Sequence, residues 1–298
     1  EPDAARVIRP FLGSVEMNTR PSTTSDRFAI TLTGMEAREV AARYPAVYRH
    51  LSRTVRRQRA RAGERRLRER WWQFSRPAHE LYRQAAALAR VLVSGRVATW
   101  QTFTFQAPTT VFSDQVTVFT LESWGAFALL QSDVHGLWAR CLGSSFRDDP
   151  RYIPEGCFET FPFPTRWRAR ASLDAAGRRC YEFRAALMLA TREGLTKTYH
   201  RYHDPAERAP DIVRLRALHA AMDRAVLDTY GWKDISDERG FFLEHALDGA
   251  GRGRRPWRYR WPDATRDELL ARLLELNERR HAEELAARVV HEARASAR

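Results

Sequence analysis

The chain has 298 residues, a formal net charge of +13 and a pI near 10.4, and 44% of it is apolar with 11% aromatic. That length admits two ordinary domains or one large one, and that composition excludes a disordered polyelectrolyte. No apolar run approaches the roughly 20 residues of a membrane-spanning helix. The three cysteines, Cys141, Cys157 and Cys180, form no CxxC pair, which argues against a disulfide framework or structural zinc and for a reducing, cytoplasmic setting.

In chain order, Val7–Leu12 is an apolar run closed by Gly13, and residues 27–32 alternate as a half-buried strand does. Residues 35–43 carry helical spacing. Pro45 restarts it, with Val47, Tyr48, Leu51 and Val55 on one face as far as Gly63. An alanine-rich stretch over 80–90 predicts a further short helix. Residues 97–105 and 116–121 are β-branched and aromatic with alternation, and predict strands. From Phe127 to Cys141 apolar residues recur as on one helix, with Gly143 at its C-cap. The proline-rich run 157–164 can continue neither a helix nor a central strand, so a boundary is expected near 165.

The remainder reads as helical. Asp211 is the expected N-cap of a helix ending at Gly231, and Thr265–Glu268 has capping-box spacing before a leucine-rich stripe. The expectation is an α+β chain: a mixed β-sheet domain with flanking helices over 1–165, then a mainly α-helical domain over 166–298. The opening at Glu1 reads as text from within a longer protein.

Charge suggests the partner. Of 50 basic residues only Lys197 and Lys233 are lysine. An arginine excess arises in any GC-rich genome, so clustering has to make the functional case. Between Arg53 and Arg70 nine arginines face two glutamates, and Trp71, Trp72 and Phe74 follow. Like charges that dense repel one another on a helix, whereas on a polyanion each guanidinium replaces condensed counterions. Arg53, Arg56, Arg57, Arg59, Arg65 and Arg66 are the phosphate-contact candidates, with the alternative that they form a solvated face. Core packing is the expected role of the aromatics. A second basic and aromatic stretch, 252–261, contains Arg254 and Arg255 behind three glycines. It fits either a loop clamping a nucleic-acid backbone or an insertion whose tryptophans tuck under the last helix.

Catalytic patterns fail on inspection. The glycines at 249, 251 and 253 follow no expected strand and precede Pro256, which excludes a phosphate cradle. His200, His203 and Asp204 could bind a metal in principle, but they lie in a loop with no third soft ligand, and local capping is the expectation. No nucleophile elbow appears, and neither lysine sits among carboxylates. No cofactor site is expected in this chain.

Several runs carry a family resemblance. Trp71–Phe74, Ser132–Ala139, Asp149–Tyr152 and Cys157–Pro164 resemble the target-recognition domain of MmeI-like adenine-N6 DNA methyltransferases, the single-chain restriction–modification enzymes and related phage-defence methyltransferases. Leu195–Tyr199, Arg201–Pro205 and Asp223–Trp232 resemble the helical extension that follows it. The resemblance implies that duplex DNA is the partner and that a separate upstream domain binds S-adenosylmethionine, flips the adenine and methylates it. That chemistry uses an Asn/Asp-Pro-Pro-Tyr/Phe motif, and this chain has no Pro-Pro dipeptide. It also implies base reading in the major groove, for which Arg96, Thr99, Gln101 and Gln106 on the expected strand are the candidates. Two other readings stay open: a scaffold docking a separately encoded methyltransferase, and an RNA-binding module.

Overall fold

A computed structural model describes residues 2–146, 149–244 and 257–296. The order of elements is β1 (Ile8–Leu12), α1 (Ser14–Thr19), β2 (Phe28–Ile30), α2 (Ala37–Arg43), α3 (Pro45–Arg53), α4 (Val55–Arg59), α5 (Arg65–Glu69) and α6 (His79–Ala85). Then come β3 (Val91–Gly95), β4 (Phe103–Gln106), β5 (Val111–Phe112), β6 (Val116–Phe119), α7 (Trp124–Gln131), α8 (Asp133–Leu142), β7 (Ser144–Phe146), β8 (Asp149–Arg151) and α9 (Pro154–Cys157). The chain closes with α10 (Ala171–Thr191), α11 (Leu195–His203), α12 (Pro210–Tyr230), β9 (Gly240–Leu243), β10 (Trp257–Arg260) and α13 (Asp263–Ser296). The fold is α+β, with small sheets in its first half and long helices in its second.

Two three-stranded sheets organise the first half. In one, β1 pairs antiparallel with β2 and parallel with β5, so that sheet is mixed. In the other, β3 is central and pairs antiparallel with β4 and β6. Every residue of β3 is buried. A short strand covered on both faces shows no alternation, so it leaves no period-two signal. The strand expected over 97–105 starts only at Phe103. Upstream of it, Ser94 Oγ donates to the Thr102 carbonyl at 2.6 Å, and Trp100 turns into a cluster with Leu187, Tyr199 and Tyr202. Beyond a single bridge from Val97 to Arg151 the segment 97–102 joins no ladder, and Trp100 is apolar because it packs.

The single helix expected over 127–141 is two. Ser132 ends α7 and starts α8: its hydroxyl donates to Leu129 O at 2.6 Å and accepts from His135 N at 3.2 Å. The stop at Gly143 is as expected. Further on, α12 begins two positions earlier than an N-cap at Asp211 implied, with Ala209 as N-cap and Pro210 preset for a first turn. It ends at Gly231, whose φ of 84° suits glycine. The last helix likewise starts at Asp263, which places Thr265 inside it.

The largest apolar cluster runs across residue 165. It joins Phe127 and Trp138 of α7 and α8, Phe161, Trp167, Leu173 of α10, Met222 and Val226 of α12, Trp261, and Leu269 and Leu273 of α13. Gly177 lets α10 lie against α7, since a Cβ there would stand 2.3 Å from the Trp124 carbonyl oxygen. Arg184, 2% exposed, ties the halves together by donating to Phe103 O at 2.6 Å, Gln131 Oε1 at 2.9 Å and Tyr199 OH at 3.1 Å. The sheet bearing β4 is therefore held from behind by the helices of the second half.

Candidate nucleic-acid interface

The arginine-dense segment folds into three short helices over a small core of its own. Val40, Tyr44, Val47, Leu51, Trp71 and Trp72 form that core with Val7 and Leu32. Trp71 packs against Tyr48 with ring centroids 5.5 Å apart, and the Trp72 indole N–H donates to Met35 O at 2.8 Å. The two tryptophans are core residues, and Phe74 is at the surface.

With the apolar side committed, most guanidiniums point outward. Arg53, Arg57, Arg61, Arg66 and Arg70 are exposed and have no ion-pair or side-chain hydrogen-bond partner among the described residues. Arg56 is exposed and its guanidinium lies over the Trp71 ring at 5.5 Å. Arg65 is exposed but pairs with Glu69 at 2.6 Å. Arg59 has a different task. It is half-buried and donates to the Trp71 carbonyl at 2.9 Å and to the Gln73 carbonyl, closing the segment on itself. Its burial lowers its pKa. Arg68 similarly caps the turn at 62–63, donating to Ala62 O at 2.6 Å and Gly63 O at 2.8 Å. The segment thus presents a repelling array of free cations on a rigid support, an arrangement suited to phosphates.

The four candidates near β4 are mostly occupied by the fold. The Gln101 amide donates to Ser94 Oγ and to Gly95 O at 3.4 Å. Gln106 is buried and its amide donates to the Thr23 carbonyl at 2.9 Å. The Thr99 carbonyl accepts from Arg258 Nη2 at 3.0 Å. Arg96 sits at the surface end of β3, where its guanidinium donates to Asp114 O at 3.3 Å.

Around Arg96 three segments converge. Its N–H donates to Gln115 O at 2.9 Å, its carbonyl accepts from Tyr152 N at 2.8 Å, and Val97 forms a bridge with Arg151. Asp114, Gln115 and Arg151 are all exposed on this rim. Their amide, carboxylate and guanidinium groups match base-edge donors and acceptors. Gln115 lies outside the strands that alternation predicts and is not among the sequence-based candidates. The available signal was a polar turn joining two short strands.

The second basic stretch divides. Arg254 and Arg255, with the glycines at 249, 251 and 253, lie outside the described residues. Trp257–Arg260 is a strand paired with Gly240–Leu243, not a loop. Trp261 is buried at the foot of α13, whereas Trp257 is exposed, so one tryptophan is tucked under the helix and the other is not. Arg258 and Arg260 are buried and serve the interior.

His203 accepts from Tyr259 N at its Nδ1 at 3.0 Å and stacks on Trp100 with centroids 4.2 Å apart. Burial and nearby arginines hold it neutral, well below the usual histidine range. Asp204 accepts from Ala206 N at 2.8 Å, a local turn closure. Among the described residues no group of three or more His, Cys, Asp or Glu is placed to hold a metal, and no helix is long and apolar enough to cross a membrane.

The family profile of the MmeI target recognition domain matches residues 1–165. The chain belongs to that family. One solved structure that it resembles is that of the type IIL restriction–modification enzyme MmeI in complex with DNA. The two share a TM-score of 0.64 at 19% sequence identity, over 95% of this chain and 32% of that one. At that identity the likeness concerns the fold, and it extends beyond the matched domain into the helical second half. The chain spans about a third of the MmeI chain. No curated protein matches in sequence.

Proposed function

We propose that this chain grips duplex DNA through the free arginines of α3 to α5 and reads sequence through the rim around Arg96, Gln115 and Arg151, setting the specificity of a type IIL restriction–modification enzyme. The observation that carries this reading is the coincidence of a target-recognition family match over 1–165 with five exposed, unpartnered guanidiniums in that same span. Phosphate contacts of this kind supply affinity and register, and exposed polar groups on short rigid loops supply discrimination between base pairs.

Methyl transfer to adenine N6, with its S-adenosylmethionine, is assigned to a domain outside this chain, and the whole protein to the bacterial cytoplasm, in restriction or phage defence. The absence of a Pro-Pro dipeptide supports that division, as does the cost of extracting a base, which calls for a dedicated pocket. An RNA reader would need stacking aromatics beside its cations, and here the tryptophans that follow the arginines are core. The test is a competition assay with the isolated chain. Duplex DNA should displace a labelled duplex far better than single-stranded RNA, and added S-adenosylmethionine should give no methylated product. Preferred binding of RNA, or methyl transfer by the chain alone, would overturn the reading.

A further inference from the structure

Behind the loop that leads into β4 lies a cleft of about 70 Å³, lined among others by Thr99, Trp100, Arg140, Arg151, His203 and Arg258. Its surroundings are short of negative charge. Arg140 Nη1 and Arg258 Nε reach the two oxygens of Glu244 at 2.6 and 2.5 Å, and Arg266 stands 4.0 Å from the same carboxylate. Arg260 and Arg266 share Asp263 at 2.8 and 3.2 Å. Among the described residues, then, four guanidiniums share two carboxylates. Asp133 also lines the cleft; it and Asp223 share Arg239 at 2.6 Å each, so five guanidiniums face four carboxylates, an excess of one.

Uncompensated buried charge is costly, and here it shows. Burial and the neighbouring Arg140 push Arg258 down to about 9. Trp100 lines the same cleft at 5% exposure, sandwiched between the His203 ring and the Arg258 guanidinium 4.0 Å away, and its indole N–H has no partner. An orphaned buried donor beside surplus cations is the chemistry of an anion site. The volume is far below the ~300 Å³ at which pockets begin to take drug-sized ligands, so a whole nucleotide is excluded. Arg140 and the exposed Arg151 give the cleft a wet side.

We propose that this cleft binds a single phosphate group, with Arg140, Arg151 and the Trp100 N–H as its donors. With the exposed Arg151 of the lining the excess is two, which a phosphate dianion matches. It would also brace the junction between the 97–102 segment, α8, α11 and β10, each of which lines the cleft. The same chemistry serves a backbone phosphate of bound DNA or free inorganic phosphate.

The test is thermal unfolding of the 298-residue chain with inorganic phosphate titrated against chloride at constant ionic strength. Phosphate should raise Tm saturably, by about 2–4 °C at ten times its Kd, and chloride should not. Arg140→Gln should abolish the phosphate-specific rise. So should Gly136→Leu, a helix-favouring change at a cleft residue where a Cβ meets open space, and this variant keeps every ion pair. Equal effects of phosphate and chloride on the wild type, or a phosphate-specific rise retained in both variants, would overturn the proposal. The source is decided by competition. If a DNA phosphate occupies the cleft, inorganic phosphate will weaken duplex binding by wild type and not by Arg140→Gln; if the occupant is free phosphate, duplex affinity will be unaffected in both.

Discussion

Arginine does opposite work in two regions of this molecule. On α3 to α5 the guanidiniums of Arg53, Arg57, Arg61, Arg66 and Arg70 stand in solvent without partners. In the helical half Arg184, Arg216, Arg258 and Arg260 are each 7% exposed or less, and each is spent on carbonyls or carboxylates. Arg216 alone donates to the carbonyls of Tyr202, Glu207, Arg201 and Asp204. Bulk charge does not distinguish the two roles. A surface cation can be removed at little cost to the fold, whereas a buried one leaves its partners stranded. The two sets should therefore separate cleanly under substitution, one losing DNA affinity and the other stability.

The largest effect is expected at Arg239, whose side chain is 3% exposed and spans Asp133 and Asp223 at 2.6 Å each. Arg239→Met leaves two carboxylates unpaired and should cost about 3–5 kcal/mol in denaturant unfolding, while the salt dependence of DNA binding by the folded fraction stays as in the wild type.

Acid should act on the same network. Burial lowers His135 and His219 to about 3 and holds His203 well below its usual range. A depressed folded pKa means stability that is present above the unfolded value and lost as pH falls below about 6.5. Asp223 has the opposite sign: burial raises it to about 7, so its protonated form favours the folded state as pH falls. Three protons taken up by the unfolded chain against one by the folded leaves a net uptake on unfolding, so stability falls as pH drops from about 6.5 toward 4.5. The exposed arginines do not titrate there. Unfolding curves measured across this range should show stability falling with acid; a flat profile would mean that these histidines are not buried neutral.

A smaller effect sharpens the boundary between the two sets. Gln101→Ala removes amide contacts to Ser94 and Gly95 and should cost about 1 kcal/mol of stability, with base preference unchanged in a selection from randomised duplexes. A shifted preference would return Gln101 to the reading surface.

Much of this was legible in the sequence, and the misses share a cause. Periodicity located α2, α3 and α12 because each buries one stripe and wets the other, and Gly231 marked a helix end that requires positive φ. It failed for β3, buried on both faces, and for 97–102, where Trp100 is apolar without belonging to a strand. It also merged α7 and α8, since Ser132 changes the helix direction without interrupting the apolar spacing. For the site, local charge density picked out the arginines of α3 to α5, but Arg59 showed no sequence sign of its turn toward the Trp71 and Gln73 carbonyls. Gln115 joins Arg96 and Arg151 only through tertiary hydrogen bonding, which no local pattern encodes.

The central claim is that the free arginines of α3 to α5 hold DNA phosphates, and the most direct measurement is the slope of log K against log salt for a duplex. Five contacts give the wild-type chain a slope of about −4 to −5, and Arg53, Arg57, Arg61 and Arg66 changed together to Gln should bring it to about −1 with Tm little altered. A wild-type slope near zero, or a variant as steep as the wild type, would contradict the account.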